Sequence, residues 1–197
     1  MRELILDTET TGFNIEDGDE VIELAMVEII NNQITGKNYH YFFKPIKNSE
    51  ISAENVHGLS FFDLEHMESF NYETSKKFLS EINGANLVIH NAAFDIKFLN
   101  NHLKKFNLNI FDYCNEVIDS LDIARYKYPN LRNSLDALCE RFKINKDSRL
   151  YHGALIDCYL LAEVYIQLKK EQQNLNLNIE NDAFLKDKDK IEFLYIK

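Results

Sequence analysis

Residues 4–12 read Leu4-Ile5-Leu6-Asp7-Thr8-Glu9-Thr10-Thr11-Gly12, an apolar run that ends in two carboxylates and a glycine. A short apolar run bounded by Gly predicts a buried strand. Alternate residues of a strand point to the same side, so Asp7 and Glu9 project into one place. Like charges held together should each have a raised pKa unless a cation offsets them, and oxygen ligands suit Mg²⁺ or Mn²⁺. The alternative is a strand that runs out into solvent with both acids solvated.

Length and composition suit one ordinary globular domain. The chain has 197 residues, of which 45% are hydrophobic and 12% aromatic, enough to bury a full core. It contains no run of about 18 apolar residues and leaves no room for a signal peptide, so we expect no membrane span. Its three cysteines form no CxxC pair and indicate a reducing cytoplasm, with Cys158 predicted as a packed core thiol.

The net charge of −10 is uneven, because residues 1–60 hold eleven acids against four bases. Proteins that grip nucleic acid unaided usually carry a basic face, and none is obvious here. Two interpretations remain open. Either the partner is not nucleic acid, or another protein holds the nucleic acid and metal ions neutralise the acidic site.

The order of the predicted elements indicates an α/β fold with a mixed five-stranded sheet flanked by helices. Three antiparallel strands come first, at residues 4–12, Val21–Ile30 and Tyr39–Phe43, followed by a loop-like segment to Ser60. Strands at Leu87–Ile89 and Glu116–Asp119 then alternate with helices. The helices are predicted at Phe70–Ile82, Ala93–Phe106, Ser120–Lys127, Ser134–Phe142 with Ser134 as N-cap, and Gly153–Lys170.

Two acids fall on the apolar faces of predicted helices. A helical projection at about 100° per residue places Asp95 with Phe98, and Asp157 with Leu161. The polar side of the first of these helices consists of Lys97, Asn100, Asn101 and Lys104. Buried acids are normally paired or bind metal. For either acid alone, a structural salt bridge or a helix-end position is the alternative.

Four carboxylates, those of Asp7, Glu9, Asp95 and Asp157, can therefore line one site and hold two cations. His152 precedes Asp157 by five residues, at the start of the last helix. From that position it can lie over the same site and take a proton from a metal-bound water. A lone His is more often structural, and that alternative stays open.

These residues resemble a known family. The order Asp-x-Glu, Asp and His-x-x-x-x-Asp is similar to the DEDDh branch of the 3′–5′ exonucleases, since Gly153 stands where the sister branch has a Tyr. Longer segments resemble the proofreading epsilon subunits of bacterial replicative DNA polymerase III. They are Leu6 to Gly12 (LDTETTG), Val88 to Asp95 (VIHNAAFD), Arg132 to Cys139 (RNSLDALC), and His152 to Asp157 with Leu161 to Tyr165. The resemblance covers about residues 2–170 and implies an exonuclease domain at residues 1–170.

The resemblance implies a ribonuclease H-like fold and two-metal hydrolysis that releases nucleoside 5′-monophosphates from a DNA 3′ end. It implies that Asp7, Glu9 and Asp157 bind the cation that carries the attacking water. Asp7 would bridge to a second cation with support from Asp95, and His152 would be the general base. Contacts to the terminal nucleotide, with loop capping or packing as the alternative for each, are expected from Thr10, His57, His90, Asn91 and Phe94.

Residues 171–197 are interpreted as a short C-terminal tail. Gln172, Leu175 and Leu177 have the spacing of the clamp-binding motif that follows the exonuclease domain in this family, so a sliding clamp is an expected partner. The alternative is a polar linker with two chance leucines. The terminal apolar patch at residues 191–196 could dock on a polymerase subunit.

Three functions are compatible with the sequence. The first is a cytoplasmic proofreading deoxyribonuclease that works beside a polymerase catalytic subunit, which would hold the DNA and so explain the acidic charge. The second is a free-standing enzyme similar to ribonuclease T that trims RNA 3′ ends, for which a basic surface is expected. The third is a non-catalytic subunit that stabilises the polymerase, against which the intact set of acids and His argues.

Overall fold

The computed structural model describes residues 1–146 and 152–170. Its centre is a five-stranded sheet in the order β3-β2-β1-β4-β5. The strands are β1 (Arg2–Thr10), β2 (Val21–Ile30), β3 (Gln33–Phe42), β4 (Asn86–Ile89) and β5 (Glu116–Asp119). The first three strands pair antiparallel, whereas β4 pairs parallel with both β1 and β5. The predicted mixed five-stranded sheet is thus confirmed.

Helices cover both faces of this sheet, as the apolar side chains of its central strands require. They are α1 (Ile51–His57), α2 (Phe61–Leu64), α3 (Tyr72–Ile82), α4 (Ala92–Lys104), α5 (Ser120–Lys127), α6 (Leu135–Phe142) and α7 (residues 154–170). Ser134 caps α6 as predicted, accepting from the Ala137 amide. In the described part of the chain, no helix combines the length and the apolar character that a membrane crossing needs.

Strand β1 lies in the middle of the sheet, and its alternating side chains belong to two different cores. Leu4 and Leu6 pack in the larger core with residues of α3 and α4. Ile5 faces the opposite way and packs with residues of α7. Because side chains alternate along a strand, Asp7 and Glu9 continue the face of Ile5, toward α7. Cys158 lies in that core, fully buried, with a free thiol.

Two predicted segments differ from the structure. The third strand begins at Gln33, not Tyr39, because its first residues are held by backbone pairing to β2 at the sheet edge and carry few apolar side chains. The segment before Ser60 contains α1, which the sequence did not predict. The side chain of Glu50 does not cap this helix, which is anchored instead by the Glu50 amide as it donates to the Thr11 carbonyl.

The sheet splits beside the acids. Strand β4 pairs with β1 only as far as Val88 opposite Ile5, while β1 continues to Thr10 along β2. Beyond that last pair, β1 has β2 on one side and the start of α4 on the other. The carboxyl end of a strand at such a divergence is where open α/β sheets place their ligand sites.

The loop that follows β1 is organised by a buried carboxylate. The side chain of Asp19 is fully buried and accepts from Thr11 Oγ1 at 3.0 Å, from the Asn14 amide at 2.9 Å and from Lys47 Nζ at 2.7 Å. Burial opposes ionisation of Asp19, but these donors outweigh it and hold its pKa below the usual value. This carboxylate fixes the chain where it leaves the acidic strand end.

Gly12→Ala is expected to lower the free energy of unfolding by about 2–3 kcal/mol, because it displaces a buried carboxylate from its partners. A Cβ at Gly12 would lie 2.6 Å from Cγ of Asp19, whose buried side chain is held by three donors. Urea denaturation measures the change. Gly153→Ala is the matched control, since among the described residues its Cβ would meet only Glu23 Oε1, at 3.9 Å. Equal stability of the two variants would contradict this role of Asp19.

Candidate metal centre and nuclease site

Three carboxylates converge at the end of β1. Asp7 and Glu9 come from alternate positions of the strand, and Asp157 comes from the first turn of α7, which packs on the same face. One ligand oxygen from each of the three lies within 4.8 Å of the others. Asp157 is buried, and the two strand acids are half-buried. The predicted grouping of these three acids is therefore present in the structure.

Asp7 is at the electrostatic centre of the group. Burial raises the pKa of its carboxyl well above the usual value, and the charges of Asp95, Glu9, Asp157 and Glu23 raise it further. Every one of these causes disfavours the ionised form. Ionised Asp7 thus needs a positive charge that these neighbours do not provide.

Asp95 reaches the site from the other face of the sheet. It lies in the first turn of α4, is buried, and accepts a hydrogen bond from Thr8 Oγ1 at 2.7 Å. Burial raises the pKa of Asp95 to about 7, although the hydrogen bond from Thr8 opposes that shift. Thr8 alternates with Asp7 and Glu9 along β1, so the strand presents its acids to α7 and its hydroxyl to Asp95.

The side chain of His152 lies against that of Asp157. Its Nδ1 is 3.2 Å from Asp157 Oδ2, and its side chain is 44% exposed. The backbone amide of His152 donates to the Val56 carbonyl at 3.0 Å, which ties it to α1. A neutral imidazole that donates from Nδ1 to the carboxylate carries its lone pair on Nε2.

The five residues predicted to contact a nucleotide all lie at this end of the sheet, but several already have local partners. Thr10 Oγ1 donates to the Gly12 carbonyl at 2.6 Å. The ring of His57 is buried at the end of α1, where burial lowers its pKa, and its Nδ1 accepts from the Leu59 amide. Both groups are therefore used in shaping the loops around the acids.

His90 and Asn91 connect β4 to α4. The two ring nitrogens of His90 lie 3.0 Å from Ser120 Oγ and 3.0 Å from the Asn133 carbonyl. Asn91 adopts a left-handed conformation with φ of 72°, and its backbone amide donates to the side chain of Asp119. His90 is thus a link between β4, α5 and the segment before α6, and its contact to a nucleotide stays a prediction.

Phe94 forms an aromatic contact that the sequence did not indicate. Its ring centroid lies 6.3 Å from that of Phe13, which is 63% exposed in the loop after β1. An exposed Phe in contact with Phe94, the residue before Asp95, is a stacking surface of the kind that single-strand-binding proteins use for bases. The signal was available, because Phe13 directly follows Gly12, but a single aromatic in a polar loop has no periodicity to interpret.

Glu23 is a second residue that sequence reasoning missed. It lies opposite Glu9 in the β1–β2 pairing, its side chain is buried, and it contacts His40 Nε2 at 2.7 Å. A Cβ at Gly153 would lie 3.9 Å from its Oε1, so Glu23 lies beneath the segment that carries His152. The signal was an acid inside the apolar strand Val21–Ile30, the same signal that identified Asp95.

The donor set fits divalent cations. It consists of carboxylate oxygens, which hard cations prefer, and the acids come from two helices and a strand that hold them close in spite of their like charge. The charge of Asp95, on the α4 side, also acts on Asp7, which belongs to the group on the α7 side. The residues present thus fit a divalent cation. The clamp-motif residues Gln172, Leu175 and Leu177, and the terminal patch, lie outside the described residues.

Comparison with known proteins identifies relatives of this chain. Residues 4–165 match the model of the exonuclease family. The chain is 44% identical over 179 residues to DNA polymerase III subunit epsilon of Pasteurella multocida, a match that covers 88% of this chain and 70% of that protein. It is 38% identical over 188 residues to DNA polymerase III subunit epsilon of Rickettsia conorii, covering 94% of this chain and 81% of that protein.

A solved structure confirms the expected ribonuclease H-like fold. Exonuclease X, in complex with 5′ overhanging duplex DNA, superimposes with a TM-score of 0.66 at 22% identity, over 86% of this chain and 92% of that one. At this identity the likeness supports the fold alone. The sequence matches go further, and by them this chain belongs to the exonuclease family, among the DNA polymerase III epsilon subunits.

Proposed function

We propose that this chain is a metal-dependent 3′–5′ exodeoxyribonuclease that removes mispaired 3′ nucleotides within a DNA polymerase assembly. The observation that carries the proposal is the convergence of Asp7, Glu9 and Asp157 within 4.8 Å of one another, with His152 in contact with Asp157. Relatives named as polymerase III epsilon subunits support the setting. The acidic charge of the chain also suits a subunit whose partner grips the DNA.

In this proposal the four acids divide between two cation positions. Asp7, Glu9 and Asp157 would hold one, and Asp7 with Asp95 would hold the other. Bound divalent cations supply charge neutralisation at the scissile phosphate and lower the pKa of the attacking water. The chain's own residues hold the acidic ligands in position. Thr8 holds Asp95 by its hydrogen bond, and β1 fixes the spacing of Asp7 and Glu9.

His152 is proposed as the general base. With Nδ1 bonded to Asp157, the imidazole is oriented, and Nε2 can accept the proton of the attacking water. The His152 side chain is 44% exposed, so both solvent and substrate can reach it. Phe13 and Phe94 would stack on the last bases of a frayed strand and so favour a mispaired end, whose unpairing costs less than that of a matched end.

The test compares four substrates of the same sequence: a 3′-mismatched primer–template, a matched primer–template, single-stranded DNA and single-stranded RNA. Mg²⁺ or Mn²⁺ is supplied, and a chelator is the blank. We expect metal-dependent release of deoxynucleoside 5′-monophosphates, fastest from frayed or single-stranded DNA ends. Faster trimming of RNA would instead favour the ribonuclease T-like function. Binding to a polymerase without hydrolysis of any substrate would favour the stabilising subunit.

A further inference from the structure

A groove runs along the exposed side of α4, outside the group of acids. Its volume is about 530 Å³. One wall is the turn after β1, with Ile15 and Glu16, and the other is the polar side of α4, with Lys97, Asn101 and Lys104. Asn101 lies four positions after Lys97, and Lys104 lies three positions after Asn101. The three side chains therefore form one stripe along the helix. The sequence predicts this polar stripe, and none of its residues takes part in the proposed catalysis.

The lysines of this groove differ from several others in the chain. Among the described residues, Lys97 and Lys104 are exposed and form no ion pair. By contrast, other lysines bind carboxylates of the fold, namely Lys47 with Asp19, Lys146 with Asp136, and Lys169 with Glu3. Lys97 and Lys104 thus line a groove whose facing wall carries one acid, Glu16, with which they form no ion pair. Their charges either bind an anionic ligand or remain solvated.

The groove starts on the turn of α4 that carries Asp95. Ala93 lines its near end, and Phe94 and Asp95 follow in the first turn of the same helix. Phe94 in this turn contacts Phe13, with 6.3 Å between the two ring centroids. From there, Lys97 and Lys104 are spaced two helical turns apart, a rise of about 10.5 Å. That span corresponds to a few nucleotides of a strand.

We propose that this groove binds the sugar–phosphate backbone of the substrate strand, a few nucleotides before the 3′ end that the acids hold, with Lys97 and Lys104 contacting phosphates. The inference rests on the proposed nuclease function and adds the path of the strand. Proteins that bind single strands combine aromatic stacking surfaces with a positive groove that tracks the backbone. Here both features lie on α4, in the order that a strand leaving the site would meet them.

Glu16 provides a test in which the affinity for the strand should increase. It is exposed on the facing wall, and its negative charge opposes a phosphate backbone in the groove. Glu16→Gln should therefore strengthen strand binding, whereas a groove that holds no strand would leave binding unchanged. A change in this direction is not expected from damage to the fold.

The binding experiment uses the full chain in chelator, so that the strand is not cut. Fluorescence anisotropy of a labelled single strand of about 12 nucleotides, a length that spans site and groove, is measured across a salt series. For Lys97→Ala with Lys104→Ala, the slope of log affinity against log salt should fall by about 1.4, since each phosphate that a lysine neutralises contributes about 0.7. The corresponding decrease in affinity is about 25-fold at 0.1 M salt.

The matched control is Lys76→Ala with Lys77→Ala. It removes the same amount of charge, but from α3, and neither residue lines the groove. It should leave the salt slope within about 0.3 of wild type, which is less than one neutralised phosphate contributes. Equal slopes for the groove variant and wild type, or equal decreases in both double variants, would overturn the proposal.

Hydrolysis separates the failure of this proposal from the failure of the nuclease function. The p-nitrophenyl ester of thymidine 5′-monophosphate occupies only the catalytic end. The groove variant should hydrolyse this ester at the wild-type rate, while its KM for the long strand rises by the factor found in binding. Reduced hydrolysis of both substrates would overturn the groove assignment, since it would place the lysines in the catalytic centre. Wild type that binds the strand with the expected slope but cleaves neither substrate would overturn the nuclease function alone.

Discussion

Asp7→Asn should abolish hydrolysis and at the same time make the metal-free protein more stable. The carboxyl group of Asp7 is the one that both proposed cation positions share, so its removal should lower kcat by about a thousandfold or more, the equivalent of the several kcal/mol that a metal centre supplies. Rates are measured on single-stranded DNA at saturating Mg²⁺ or Mn²⁺.

The gain in stability follows from the surroundings of Asp7. Burial and the charges of Asp95, Glu9 and Asp157 all raise the pKa of Asp7, so its ionised form is unfavourable in the folded protein. An isosteric amide removes this charge and its repulsion. In chelator we expect the Tm to rise by about 2–4 °C, the shift that about 1 kcal/mol produces in a domain of this size.

Added metal should reverse the order of stability. A cation that binds the folded state alone stabilises wild type by mass action, and the variant should gain much less because its site is incomplete. Asp122→Asn is the control, since that acid is 72% exposed on α5 and belongs to no part of the site. A metal-free variant less stable than wild type would show that Asp7 has a structural role, not one of cation binding.

The acids were predictable because each one interrupts a periodic pattern. Asp95 and Asp157 stand where an α-helix buries its apolar stripe, and Asp7 and Glu9 end a buried strand. Strand β2 carries the same signal twice, at Glu23 beside the site and at Glu28, which pairs with Arg2. The regular apolar pattern of a helix or strand shows which of its faces is buried, so an acid on that face can be recognised from the sequence. Burial then requires a partner for the acid.

Contacts between distant segments could not be predicted in the same way. The hydrogen bond from Thr8 to Asp95 joins residues 87 apart in sequence, and the pairing of Glu23 with His40 depends on the register of two strands. The helix α1 was missed for a related reason, because its first turn is held by a backbone bond from Glu50 to Thr11 instead of a side-chain cap. No local pattern encodes such a bond.

His152→Ala should reduce kcat by about 10²- to 10⁴-fold, the contribution typical of a general base, with little change in strand affinity. The side chain is 44% exposed and contacts Asp157 through Nδ1, so its removal leaves no buried cavity. The free energy of unfolding should therefore stay within about 0.5 kcal/mol of wild type. Single-turnover rates and urea denaturation measure the two quantities. His66→Ala, at a ring that is 87% exposed and lies beside the carboxylate of Glu65, is the control for a histidine outside the site.

Imidazole in solution distinguishes a base from a positioning group. If His152 takes the proton of the attacking water, free imidazole can enter the exposed space that its side chain leaves and restore part of the rate of His152→Ala. A residue that only orients Asp157 would not be replaced in this way, because a diffusing ring cannot hold the carboxylate in place of a tethered one. Activity of His152→Ala within twofold of wild type would exclude both roles. A decrease that imidazole does not repair, with the same residual rate for Asp157→Ala, would assign His152 to support of the acid instead.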